Sequence, residues 1–258
     1  MRPEAITLSP PRPVRPTLMT QSWRHITFLH WRVDPDVVRP LLPLGTEPDV
    51  FDGAAHVGLV AFRVTWVRMG TGPLLPFGNS FDEINVRTYA VDGLGRRSVV
   101  FLSLDVSAPL AVLAARLGLR LPFFLAELSV DTRGNTVTYR CRRRWPGRDA
   151  PRSAISVRVG SVLREPTELD RFLTARWGMH FSWCGHTVHL GNTHPSWSLH
   201  RAELLELTDE LVAAAGLPVL GTAPVSVRYA SGTTARFGPV PTARRDPRAR
   251  VTASPGRS

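Results

Sequence analysis

The stretch 80–106, SFDEINVRTYAVDGLGRRSVVFLSLDV, constrains this chain more than any other, because it alternates with period two on both sides of a Gly-containing turn. Period two is the spacing of a β-strand, whose successive side chains point to opposite faces. Ile84, Val86 and Thr88 share one face of the first strand, and Glu83, Asn85 and Arg87 share the other. With Gly93, Leu94 and Gly95 as a three-residue hairpin loop, Asp92 lies opposite Arg96. That register sets Ile84 against Leu104, Val86 against Leu102 and Thr88 against Val100, one nearly continuous apolar face. It also sets Glu83 against Asp105, Asn85 against Ser103 and Arg87 against Phe101. A slip of one residue would mix leucines into the polar row, so the pattern favours this pairing.

Further strand candidates lie at 23–33, 54–69, 135–145, 153–159, 186–191 and 224–230, several rich in β-branched and aromatic residues. Helical stretches are fewer. Asp34 can cap a short helix stopped by Pro43 and Gly45, and Ser107 can cap APLAVLAARLG with Gly118 at its end. Thr167 can cap PTELDRFLTARWG, whose apolar stripe is Leu169, Phe172, Leu173 and Trp177, and TDELVAAAG forms a short helix. Strands without regular β-α alternation predict an α+β fold, a curled antiparallel sheet, cone or barrel, with a few peripheral helices. One domain is expected over 22–237, flanked by disordered Pro/Arg-rich tails at 1–21 and 238–258.

The formal charge is +11, but six of those excess charges fall within 1–20 and 239–258, which weakens a nucleic-acid reading to a weak polyanion contact through the tails. All 32 basic residues are arginine. A Schiff-base mechanism needs a lysine amine and is therefore excluded. No apolar run is long enough for a membrane span, and the N-terminus lacks a signal-peptide core, so the expected location is cytoplasmic and no membrane partner is expected. The two cysteines form no CxxC and are expected as thiols. No P-loop or GxGxxG occurs, so no cofactor is expected, and no GxSxG or other nucleophile turn marks a serine nucleophile. HFSWCGHTVHLGNTHPSW, 180–197, gathers Cys184, His180, His186, His189 and His194, but its spacing fits no standard zinc site, and no metal is expected.

The Glu83-Asn85-Arg87 row is the candidate site. Two directly opposed carboxylates would repel and raise one pKa, so Glu83 and Asp105 would exchange a proton while Arg87 holds a carboxylate and Asn85 orients an oxygen. The solvated face of a sheet is the alternative.

WRHITFLHWRVDPDVVRPLLPLG, FDGAAHVGLVAF, SFDEINVRTYAVDGLG, VVFLSLDVS, LPFFLAEL and THPSWSLHRAEL together resemble the YqjF-type family, over about Trp23 to Phe237. That family is placed in the acetoacetate decarboxylase-like superfamily, which implies a sheet curled into a cone around a pocket, with the polar row facing inward. In the decarboxylases an active-site glutamate stands two positions after an aromatic residue on a strand, and Phe81 and Glu83 are similar. Those enzymes carry a lysine after a proline in a GxPK-like segment. The similar stretch here is RLPFFLAEL, where Phe123 follows Pro122. His194 lies in a segment, HPSW, that resembles a family motif and is expected to be structural or to line the pocket. The expected ligand is a small organic acid or carbonyl compound. Lysine-independent proton transfer (lyase, hydratase or isomerase) and a non-catalytic binding domain both stay open, as does a homo-oligomer.

Overall fold

The computed structural model describes residues 2–74, 80–147, 149–219 and 221–239; the basic tail from 240 onward lies outside the described residues. Twelve strands form one sheet: β1 (Met19–Val33), β2 (Thr46–Pro48), β3 (Ala55–Met69), β4 (Ser80–Asp92), β5 (Arg97–Val106), β6 (Phe123–Arg133), β7 (Thr136–Trp145), β8 (Arg152–Val162), β9 (Gly178–Trp183), β10 (His186–Thr193), β11 (Leu199–Asp209) and β12 (Ser226–Phe237). The sheet runs β5-β6-β7-β8-β11-β12-β1-β3-β4, and the β4–β5 pairing closes it into a ring. The hairpin β9–β10 bridges β5 to β12 and so closes a second, smaller circuit over β12, β1, β3 and β4. All neighbours are antiparallel except β5–β6 and β5–β9.

The two faces of β1, β3 and β4 therefore serve different enclosures. Leu29, Leu59, Ala61, Ile84 and Val86 point into the large ring, where they join Val137, Tyr139, Ile155 and Val157 from β7 and β8 in the main core. The other face is roofed by α3 (Glu168–Thr174), by β9–β10 and by the 194–197 segment, with Phe28, Val60, Phe62 and Trp197 in one apolar cluster and Tyr89, Phe172 and Leu173 in another. This curled, closed sheet is the expected α+β architecture.

The helices depart from expectation in detail. The Asp34 cap accepts from the Asp36 amide, but α1 is only Pro35–Val38, followed by a 3₁₀ turn over Arg39–Leu41. In α2 (Pro109–Leu119) the N-cap is Ala108, not Ser107, because the Ser107 hydroxyl is used to accept from the Asp82 amide of β4. The helix ends at Arg120 in a left-handed conformation rather than at Gly118. Thr167 caps α3 as expected, in a reciprocal capping box with Asp170. α4 is Leu211–Ala214. Among the described residues, no helix is long and apolar enough to cross a membrane.

Residues 19–21 belong to β1, and residues 2–18, a solvated tail by composition, lie along the domain instead. The Glu4 amide donates to the Gly95 carbonyl, Arg97 donates to the Glu4 carbonyl, Trp177 to the Thr7 carbonyl and Ser196 to the Leu8 carbonyl. Ile6 packs on the Tyr89–Phe172 cluster. A few anchoring hydrogen bonds and a half-buried apolar side chain hold a segment whose composition alone would leave it free.

Candidate active site

The β4–β5 register is right near the turn and wrong beyond it. Arg87 pairs with Phe101 and Thr88 with Val100, but Val86 pairs with Ser103, so Leu102 is the extra residue of a β-bulge. Past the bulge Glu83 lies opposite Val106, Ile84 opposite Asp105 and Asn85 opposite Leu104. Directly opposed residues share a face, so Asp105 turns with Ile84 into the large ring while Glu83 faces the roofed enclosure. The predicted Glu83–Asp105 acid pair does not form.

Three cross-strand rows make the roofed face. His30, Gly58, Arg87 and Phe101 form the first, running across β1, β3, β4 and β5. Phe28, Val60, Asn85 and Leu104 form the second, which continues to Phe123 on β6. Phe62, Glu83 and Val106 form the third. Glu83 thus sits between two apolar side chains. It is 7% exposed, and its one hydrogen-bond donor is the Asn85 amide, Nδ2 to Oε1 at 3.0 Å. Burial pushes its carboxyl up to about 7, with a smaller upward push from Asp105 through the sheet and a downward pull from Asn85.

Arg87 does not take Glu83 as an internal partner. Four strand residues separate their Cα atoms by roughly 14 Å. Its guanidinium lies 5.6 Å from the ring centres of both Phe28 and Tyr89, and Nη2 donates to the Leu173 carbonyl at the end of α3 at 3.3 Å. Nε is buried without a partner, and among the described residues no carboxylate comes within ion-pair distance of Arg87. Arg176, whose guanidinium lies 4.6 Å from the Tyr89 ring centre, pairs with Asp49, which it shares with Arg97. The contrast singles out Arg87.

Gly58 makes this packing possible. A Cβ there would lie 3.0 Å from the His30 ring and 3.3 Å from Arg87 Cγ. The Tyr89 hydroxyl donates to the Leu173 carbonyl at 3.0 Å, so it accepts from His30 Nε2 at 2.7 Å and fixes the neutral tautomer. Burial holds His30 well below the usual histidine range, as does the nearby Arg87. The His194 ring lies tilted against Trp177 and Trp197, 4.7 Å from each, and burial lowers its pKa too, with Arg87 adding to the effect. Phe123 joins Leu121, Phe181, Val188 and Leu190 in an apolar cluster.

Asp105 is held elsewhere. Arg143 Nε and Nη2 bind its two oxygens at 2.7 and 2.8 Å, and the Arg143 guanidinium lies 3.6 Å from the Phe124 ring centre. Burial pushes the Asp105 carboxyl up while Arg143 pulls it back. Of the histidine-rich span, His186 is exposed, His180 binds Asp92, and among the described residues no three ligating side chains converge on a metal position. A cavity of about 190 Å³ lies under the N-terminal segment, bounded by Ile6, Arg15, Arg97, Trp177 and His189; neither Glu83 nor Arg87 lines it.

His30 and Tyr89 are the site residues that the hairpin pattern did not yield as a pair. Tyr89 continues the parity of Glu83, Asn85 and Arg87, and His30 that of Ile26 and Phe28, but only the strand order brings them together.

The fold built from these two enclosures is that of the acetoacetate decarboxylase-like proteins. MppR, an enduracididine biosynthesis enzyme solved with the condensation product of pyruvate and imidazole 4-carboxaldehyde, superposes with a TM-score of 0.58 at 16% identity, covering 92% of this chain and 90% of its own. Acetoacetate decarboxylase from Legionella pneumophila superposes with a TM-score of 0.54 at 14% identity, covering 93% and 91%. At the level of sequence, residues 20–234 match DUF2071, an uncharacterized conserved protein family, and the chain belongs to it. It is 29% identical over 223 residues to the uncharacterized protein YqjF of Bacillus subtilis, spanning 86% of this chain and 91% of that one.

Proposed function

We propose that the roofed face of β1, β3 and β4 binds a small organic acid, with Arg87 taking the carboxylate, Asn85 orienting a second oxygen and Glu83 exchanging a proton. The observation that carries this reading is the Arg87 guanidinium, 5.6 Å from each of two aromatic ring centres, with a buried Nε and no carboxylate partner among the described residues. A half-buried cation without a counter-charge carries a desolvation cost, and an anionic ligand offsets it. Glu83 near neutrality can both give and take a proton at physiological pH, which fits a lyase, hydratase or isomerase step. MppR, a fold neighbour, has been solved with pyruvate, an acid of this class. Phe123, where the decarboxylases resembled here carry lysine, leaves no amine for an imine.

A non-catalytic binding domain is the second reading, favoured by the separation of Glu83 from Arg87 along the strand. A thermal-shift screen against small oxo acids, hydroxy acids and aldehydes, on wild type beside Arg87→Ala, tests the site. A carboxylate that raises the melting temperature of wild type alone supports it and supplies a molecule to assay for turnover. A folded Arg87→Ala protein that responds to the same acids equally overturns it.

A further inference from the structure

We infer that this site selects a 2-hydroxy acid over the matching 2-oxo acid, through the side-chain oxygen of Asn85. The inference rests on Arg87 being the carboxylate anchor.

Asn85 is 2% exposed. Its Nδ2 is committed to Glu83, and its Oδ1 is buried with no partner among the described residues. Two residues along the same face, Arg87 presents the complementary orphan, the Nε–H donor. Its Nη2 is already drawn to the Leu173 carbonyl. The Cα atoms of i and i+2 are about 6.8 Å apart, and both side chains project from the same face. Between them the strand offers one donor for an anion and one acceptor for a hydrogen.

A molecule that answers both carries a carboxylate and, on the next carbon, a group that donates a hydrogen bond. The hydroxyl of a 2-hydroxy acid donates to Asn85 Oδ1 while the carboxylate accepts from Arg87. The ketone of a 2-oxo acid has only lone pairs. It would meet Asn85 Oδ1 oxygen to oxygen and leave that acceptor unsatisfied, the situation in which polar sites discriminate most strongly. A 2-amino acid also donates, but its ammonium would bring a second cation beside Arg87 in a desolvated enclosure, where like charges are least tolerated. The hydroxyl is the neutral donor that fits.

The orientation of the Asn85 amide follows from its neighbour. An ionised Glu83 can only accept, so it takes the NH₂ group and turns the amide oxygen toward the ligand. The preference is therefore read at a pH where Glu83 is ionised.

Isothermal titration at pH 8.5 with lactate against pyruvate, and 2-hydroxybutyrate against 2-oxobutyrate, tests the inference on wild type, Asn85→Leu, Asn85→Ser and Arg87→Gln. Wild type is expected to bind the hydroxy acid of each pair about 10- to 100-fold more tightly. Asn85→Leu is expected to bring the two within about threefold, and Asn85→Ser to retain part of the preference, since its hydroxyl still accepts. Equal or tighter binding of the oxo acid by wild type, with Arg87→Gln abolishing both, overturns the inference and leaves the anion site standing. An undiminished preference in a folded Asn85→Leu protein also overturns it. Binding that ignores Arg87→Gln, or no binding of either acid, removes the anion site and the inference together.

Discussion

Glu83 and Asp105 are both buried carboxyls on neighbouring strands, and they have opposite surroundings. Asp105 meets a guanidinium that fits both of its oxygens, inside the main core. Glu83 meets two apolar side chains and one neutral amide on the other face of the sheet. The first is an ion pair complete in itself. The second is a group held near neutrality, two residues from an amide oxygen and four from a guanidinium that both lack a full set of partners. Sequence alone would have grouped the two acids, and the difference shows that residue type locates a functional carboxyl less well than the set of groups left unsatisfied around it.

The largest test of this contrast is to break the complete pair. Asp105→Ala strands Arg143 in the core and is expected to cost about 3–5 kcal/mol, measured by urea unfolding. Replacing both, Asp105→Leu with Arg143→Met, is expected to recover much of that loss. If Asp105→Ala unfolds as wild type does, the two acids are not different in kind.

Glu83→Gln is expected to move stability the other way. A carboxyl raised in the fold from 4.5 to about 7 holds its proton more tightly than in the unfolded chain. Its contribution is therefore most favourable below 4.5, declines as pH rises through 7 and is constant above. The Gln variant escapes that decline. Relative to wild type it gains nothing at pH 4 and up to about 3 kcal/mol at pH 8.5, read from denaturant midpoints at the two values. A flat difference across that range would place Glu83 in an ordinary solvated setting.

The smallest effect sharpens the comparison within the site. Asn85→Leu removes the one donor that favours the ionised form, so the Glu83 carboxyl is expected to titrate at still higher pH, followed by carbon-13 chemical shifts. A lower titration point would mean that the amide opposes the charge rather than stabilising it.

Much of this was legible in the chain. Alternation in 80–92 placed Glu83, Asn85 and Arg87 on one face, and the turn residues set the pairing correctly from Asp92 as far as Arg87. The bulge was not legible, because an extra leucine in VVFLSL changes no apolar pattern until the partner strand is known. The ordering of residues 2–18 escaped for a related reason. Its anchors are backbone groups and the side chains of Arg97, Trp177 and Ser196, distant in sequence and unmarked by composition. The absence of lysine, by contrast, excluded imine chemistry with no structure at all.

The bulge at Leu102 makes the chemistry of this face depend on how β5 is paired as well as on residue type. Taking Leu102 into the ladder opposite Val86 would shift residues 103–106 by one partner, turn them to the other face and carry Asp105 across to stand opposite Glu83. Arg143 would lose its counter-ion in the same step. One residue left out of the ladder, with none exchanged, thus separates a lone acid over an anion site from a carboxyl pair sharing a proton.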